Sequence, residues 1–430
     1  MKLIVDFLYL IAVIAISPMV LYRMVRHKRY RDGWAQKLGD INRKEPQKKC
    51  IWIHAVSVGE VNATKTIVAG LTERFGDFEI VISTTTDTGY ARAKVLYGGE
   101  YTVFYFPYDF SWISRRAFGN IRPAICLLME LEVWPNFVAT AGKLNVPVVV
   151  VNGRISEKSY SRYRLVKPLV RKIFKDLTLI LSQTKLYAQR FKEIGVPEEK
   201  IIVTGSLKYD TAVPAEKIEE ADALAEQLGI GGERLFVAGG TGNDEEGIIV
   251  EVYKQLKREE GFADLRLAIV PRKPERFDGV AELIEQAGFG LVRYSRLKDK
   301  QAASDIDKDL VILGDTMGDL RKFYSLATII FVGRSLVPMG GSDMMEAAAL
   351  GKCTIFGPYA FNFQQTVDAL LIGNGAIMVE DVDSLLEACR KTLDQPDFAK
   401  QIARNGRDVI RKNQGATAKS IEQIAKLLND

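Results

Sequence analysis

The sequence predicts an α/β protein of two doubly wound domains behind an N-terminal membrane-anchor helix. Three observations lead there. Short β-rich runs alternate with amphipathic helical stretches from Cys50 onward, the alternation resets near residue 212, and an almost unbroken apolar segment precedes it. The chain has 430 residues, 47% of them hydrophobic, which is more than one ordinary core takes up.

The first element is Leu3–Tyr22, LIVDFLYLIAVIAISPMVLY. A helix of that length rises about 30 Å, one hydrocarbon thickness. Asp6 and Pro18 interrupt it near its ends, where they are tolerated. Arg23, Arg26, Lys28, Arg29 and Arg31 follow, and positive charge on that flank holds it in the cytoplasm and against anionic headgroups. A cleaved signal peptide carries its charge in front, and no convincing cleavage site is present. Residues 1–22 are therefore read as a retained anchor, spanning or lying in the interface. A hydrophobic helix packed on the body is the alternative.

In the body, CIWIHAV, FEIVIST, TVFYFP, AICLLME, VPVVVVNG, LTLILSQT and KIIVTGS read as strands, with helical stretches such as VNATKTIVAGLTERF and KLYAQRFKEIG between them. Continuous Val/Ile/Leu runs belong to strands buried on both faces, hence to a parallel sheet covered by helices. The polar stretch Thr211–Glu219 is the expected linker, dividing a first domain at 23–212 from a second at 213–430. RLFVAGG, LRLAIVP, GLVRYS, LVILGD, ATIIFVG, CTIFG and GAIMVE form the second series, and the segment from Asp397 reads as two helices. Ligands of doubly wound sheets bind beyond the C-terminal ends of the strands, so the expected site is a cleft that both domains face.

Composition narrows the function. A net charge of +5 is mild and suits a local anionic surface rather than nucleic acid; no basic, aromatic-studded RNA-binding motif occurs. Cys50, Cys126, Cys353 and Cys389 form no CxxC pair, as expected of reduced core thiols in a cytoplasmic protein. His27 and His54 are the only histidines, too few for a His-rich metal site.

Chemistry is expected where strands end. IWIHAVSVGEVNAT, Ile51–Thr64, reads as a strand that breaks at Gly59 into a helix and presents Glu60 to a ligand; a carboxylate stabilised by the helix dipole would look the same. In LMELEVWPNF, Glu130 and Glu132 flank Leu131 in an apolar run, where carboxylates need partners. VAGGTGNDEEG, Val237–Gly247, ends a strand and opens a helix. Its N–H groups suit an anion, although turns require glycine too. VPRKPER holds Arg272, Lys273 and Arg276 beside two prolines, a fixed cationic loop fit for phosphate or carboxylate. FVGRSLVPMGGSDMMEAAALG runs from strand through a Gly-rich turn to a helix opening near Ser342–Asp343. Glu346 there can accept from ribose hydroxyls, and Asp343 and Glu346 serve equally to stabilise the helix dipole. FGPYAFNFQQT adds Asn362 and Gln365.

Taken in order, IWIHAVSVGEV, LMELEVWPNF, VNGRISEKSYSRY, VTGSLKYD, VPRKPERF, FVGRSLVPMGGSDMMEAAALG and FGPYAFNF resemble the bacterial 3-deoxy-D-manno-octulosonic acid (Kdo) transferases of lipopolysaccharide biosynthesis, and the likeness runs from the anchor to the last helix. The resemblance implies a GT-B fold, two Rossmann-like domains facing a central cleft. It implies inverting, metal-independent transfer of Kdo from CMP-Kdo to the acylated disaccharide precursor of lipid A. The place would be the cytoplasmic face of the inner membrane, with no cofactor and no nucleic acid. Glu60 matches the family's catalytic carboxylate, a general base, with Glu130 and Glu132 orienting the acceptor or supporting Glu60. CMP binding would fall to Lys208, Gly240, Thr241, Arg272, Lys273, Gly340, Gly341, Glu346 and Asn362, and acceptor binding to Ser57, Gly59, Arg154 and Ser156. The chain departs from the family at Lys273, usually His, at GGSDMMEA (commonly GGHNPLEP or GGQNPLEP) and at GTGND, where an STH pattern is common. Two other readings are a GT-B-fold nucleotide-sugar 2-epimerase, which needs no anchor, and a non-catalytic membrane-anchored nucleotide-sugar-binding protein.

Overall fold

The computed structural model describes residues 2–27, 32–215, 218–298 and 306–429. The chain divides into two compact units. One comprises the chain as far as Thr211 together with the segment from Gln414, and the other is Ala212–Asn413.

In the first unit, β1 (Cys50–His54), β2 (Glu79–Thr84), β3 (Thr102–Tyr105), β4 (Ile125–Met129), β5 (Val148–Gly153), β6 (Leu179–Ser182) and β7 (Ile201–Val203) form one sheet in the order β3-β2-β1-β4-β5-β6-β7. Every pair is parallel. The apolar runs are continuous because both faces are covered. Ile51 and Ile53 of β1 share a core with Val61, Ile67 and Leu71 of the helix Val58–Arg74. Cys50 and Trp52, pointing the other way, meet Phe118, Phe137 and Phe174 from the helices Ser111–Ile121, Pro135–Lys143 and Lys167–Phe174. The strand order reverses between β1 and β4, which pair from Ile51↔Ile125 to His54↔Leu128.

The second unit repeats the plan. β8 (Leu235–Thr241), β9 (Arg266–Pro271), β10 (Leu291–Arg293), β11 (Val311–Leu313), β12 (Ile329–Val332), β13 (Cys353–Phe356) and β14 (Ile377–Met378) are ordered β10-β11-β9-β8-β12-β13-β14. They too are all parallel, and the reversal lies between β8 and β12. All four cysteines are buried and free.

The N-terminal helix, Lys2–His27, runs through Pro18 and past the expected end at Tyr22. Its segment Val5–Arg26 has a mean hydropathy of 2.1 and is long and apolar enough to cross a membrane. Lys28, Arg29 and Arg31 of the basic flank lie outside the described residues.

The second domain, expected at 213–430, ends sooner. The helix Ala416–Asn429 belongs to the first unit, where Ile421, Ile424 and Ala425 complete the core around Ile67 and Leu71. Gly70 permits this contact, since a Cβ there would stand 2.2 Å from Ile421 Cδ1. Asp210 caps the helix start, its Oδ1 accepting the Gly415 N–H at 2.7 Å and its Oδ2 the Thr417 N–H at 2.5 Å. Asp210→Ala leaves both donors without this partner and is expected to destabilise the first unit by about 1–2 kcal/mol, read as a lower urea midpoint.

Candidate active site

In the first unit the expected carboxylates follow the two strands between which the order reverses, the usual ligand position of such sheets. After β1, Ala55–Ser57 turns the chain and Ser57 caps the helix Val58–Arg74. Gly59 is therefore not the break that the sequence suggests. It sits inside the first helical turn, exposed, and a Cβ there would meet only Ser57 Oγ at 3.8 Å. Glu60, one residue on, folds back over the turn. Its Oε1 accepts the Ser57 hydroxyl at 2.9 Å and its Oε2 accepts the Val56 N–H at 2.9 Å.

Glu130 follows β4 directly. It holds a left-handed φ of 55° while its N–H donates to Val151 O at 2.9 Å. A non-glycine residue in that region costs about 1–3 kcal/mol, a strain found most often at functional sites. Glu60, Glu130 and Glu132 are electrostatic neighbours. Burial, helped by the charges of Glu60 and Glu130, pushes the Glu132 carboxyl up to about 7. Glu60 is also raised, by burial first, against the pull of the Val56 N–H, with Glu130 raising it further. His54 lies beneath, wholly buried, stacked on Phe106 at 3.8 Å and bonded through Nδ1 to Ser83. Burial pushes it down to about 3, so it is a neutral core ring. Among the described residues no group of three or more His, Cys, Asp or Glu is placed to hold a metal ion.

Arg154 follows β5 and is exposed, and Ser156 caps the helix Glu157–Leu165 by accepting the Ser159 N–H at 3.2 Å. Lys208 lies on the helix Leu207–Thr211 of this same unit, whereas the other expected CMP ligands belong to the second unit. Asn152, which the sequence reading passed over, ties that helix to β5. It holds a φ of 58°, and its Oδ1 accepts the Leu207 N–H at 3.1 Å.

In the second unit, Gly240 takes a φ of 67° and shifts the register of β8 against β9. The Thr241 hydroxyl is buried and donates to Glu246 Oε1 at 3.1 Å. Glu245 is wholly buried; its carboxylate accepts the N–H groups of Gly242, Ser335 and Leu336 at 3.2, 2.7 and 2.9 Å, and that of Arg334. Of the N–H groups expected to suit an anion in Val237–Gly247, that of Gly242 is already taken by a carboxylate. Glu245 instead joins the loop after β8 to the loop after β12. Nothing in the sequence distinguishes it from the acidic first turn of any helix.

Four expected residues remain disengaged. Arg272 and Lys273, just after β9, are exposed, and neither side chain makes a hydrogen bond or ion pair among the described residues; Glu346 is half-buried and likewise unpaired. Asn362 is exposed and packs over Gly340, where a Cβ would stand 2.1 Å from its Nδ2. Gly340 and Gly341 hold φ of 91° and 83°, which only glycine adopts without strain. Asp343 accepts the Met345 N–H at 2.9 Å, just before the next helix. Near these groups, Tyr324 has a buried hydroxyl with no partner among the described residues. Burial raises its pKa, Glu346 and Asp343 add to the rise, and Arg272 opposes them.

The model of the 3-deoxy-D-manno-octulosonic-acid transferase (kdotransferase) family matches residues 32–211. A 3-deoxy-D-manno-octulosonic acid transferase of Haemophilus influenzae is 31% identical over 406 residues, 94% of this chain and 93% of that one. Among solved structures, a glycosyltransferase from Rickettsia africae is 16% identical over 89% of this chain and 100% of its own, with a TM-score of 0.57. A UDP-GlcNAc 2-epimerase from Neisseria meningitidis is 13% identical over 88% and 100%, with a TM-score of 0.56. These two likenesses speak for the GT-B fold alone.

The electrostatics predict a pH response. Glu132 ionises near 4.5 when unfolded and near 7 when folded, so the folded state binds the extra proton and stability falls as pH rises through this window. Asp109, pushed up by burial to about 7, acts in the same direction. Glu132→Gln removes one of these contributions. Its thermal midpoint, relative to the unmodified protein, should climb between about pH 4.5 and 7 and level off above.

Proposed function

Because this chain belongs to the Kdo transferase family of glycosyltransferases, we propose that it moves Kdo from CMP-Kdo to the acylated disaccharide precursor of lipid A, with Glu60 as general base. Glu60 takes the proton of the acceptor hydroxyl as that oxygen bonds to the anomeric carbon of Kdo. The bond from this carbon to the phosphate oxygen breaks, its electron pair leaving with CMP, and a single in-line displacement inverts the centre.

The observation that carries the reading is the convergence of Glu60, Glu130 and Glu132 at the reversal point of the first sheet. A general base works best with a pKa drawn toward the working pH, and burial draws Glu60 that way. Ser57 and Val56 orient its oxygens. Gly59 leaves the helix start bare for the acceptor, and exposed Arg154 suits an acceptor phosphate.

Donor binding is assigned to the second unit. Arg272 and Lys273 offer unpaired charge to the CMP phosphate, Glu346 accepts from the ribose, and Asn362 over Gly340–Gly341 completes the contact. Side-chain cations take the role that a metal has elsewhere. The N-terminal helix brings the protein to the cytoplasmic face of the inner membrane, where the lipid acceptor lies. A 2-epimerase reading rests on fold likeness alone.

Incubation with CMP-Kdo and the acylated disaccharide, followed by mass spectrometry, is expected to give a product heavier by one or more Kdo units; no product overturns the reading. Glu60→Gln should keep the circular dichroism spectrum while slowing transfer about 10²–10⁴-fold. Arg272→Ala should raise KM for CMP-Kdo roughly 10–100-fold, the worth of one charge-assisted contact.

A further inference from the structure

The apolar N-terminal helix carries a carboxylate, and that carboxylate is bound to the body. Asp6 Oδ1 accepts the Ser111 N–H and the Asn136 amide, both at 2.9 Å, and Asp6 Oδ2 accepts the Ser111 hydroxyl at 2.6 Å. One turn on, Tyr9 donates to Asp109 Oδ2 at 3.0 Å and packs edge-on against Phe110, ring centroids 5.9 Å apart. These contacts have a local reason. The helix Ser111–Ile121 begins after Phe110, which has no side chain able to cap it, and Asp6 supplies the missing acceptor. Asp109 caps the next helix, accepting the Asn136 and Phe137 N–H groups at 3.0 and 2.7 Å.

Beyond the C-terminal end of the helix, Trp34 meets Tyr108 with the rings tilted by 57° and their centroids 6.1 Å apart. Tyr108 is the neighbour of the residues that hold Asp6 and Tyr9. From Asp6 to His27 the helix rises about 30 Å, the full depth of a hydrocarbon core. A crossing helix with the body at its C-terminal end would put Asp6 and Tyr9 on the far side of the bilayer. Here the body grips that far end and receives the chain back beside the same loop.

We propose that the N-terminal helix lies in the plane of the membrane interface, fixed to the first unit through its N-terminal end, rather than crossing the bilayer. Its half-buried residues, Val5, Asp6, Tyr9, Ser17, Val20 and Met24, fall within one arc of a 3.6-residue helix, an arc that exposed Val13 and Ile16 share. The other side bears Phe7, Leu8, Ile11, Ile14 and Val25, all exposed, an apolar face of the kind that sinks about 5–10 Å into a lipid boundary. Exposed Trp112 stands one residue past the capped Ser111, and exposed Tyr108 and Trp34 flank it, as aromatic side chains do at headgroup depth. A second apolar tip, Leu165, Val166 and Leu169, is exposed beside Arg162, Arg164 and Lys167. Its helix Lys167–Phe174 packs on Pro135–Lys143, as the N-terminal helix does. Apolar surface ringed by Lys and Arg matches an anionic phospholipid layer. The inference deepens the membrane association proposed above and is independent of the donor and acceptor assignments.

Single cysteines at Leu8, Ile14 and Val25 test it, because the four native cysteines are buried. Nitroxides on the full chain are measured for depth in phosphatidylethanolamine–phosphatidylglycerol vesicles. All three labels at one shallow depth is the expected result. A deep Ile14 between shallow Leu8 and Val25 overturns the in-plane arrangement while leaving membrane association intact. Three water-exposed labels overturn both. Asp6→Leu, which makes the segment more apolar, is expected to lower the thermal midpoint; an unchanged midpoint also counts against docking.

Discussion

Strands that run parallel all end on the same edge of their sheet, and that constraint governs both units. A parallel sheet needs a crossover after each strand, and the crossovers cover both faces. Turns that carry chemistry are left one place to gather, the C-terminal edge, and one gap in it, where the strand order reverses. In the first unit that gap lies between β1 and β4, and the turns after these strands carry Glu60 and Glu130. In the second it lies between β8 and β12, and there Glu245 fastens one turn to the other.

The two gaps treat buried carboxylates differently. Glu245 accepts N–H groups from both loops and acts as a structural pin. Glu60 and Glu132 are less completely solvated by the protein, and their proton affinities rise. A carboxylate that burial and like charge push toward neutrality is ready to exchange a proton.

All fourteen strands were legible, because Val-, Ile- and Leu-rich runs between glycine and polar breaks have few other uses. Glu60, Glu130 and Glu132 were legible as acidic residues at strand ends, and the structure makes them neighbours. What escaped depends on contacts distant in sequence. Gly59 looked like the break because glycine marks turns, yet Ser57 caps the helix and sets its start. Thr241 looked available until Glu246 engaged its hydroxyl. The last helix looked like part of the second domain because it follows it in sequence. Its partners, Gly70 and Asp210, are more than two hundred residues earlier.

That last helix has a consequence for the order of assembly. The chain builds most of the first unit, then all of the second, and only then the helix that covers Ile67 and Leu71. During translation the second unit can fold while the first still waits with an open apolar groove. A nascent chain that has not yet made this late segment leaves the groove over Ile67 and Leu71 uncovered, apolar surface of the kind that makes incomplete chains prone to aggregate.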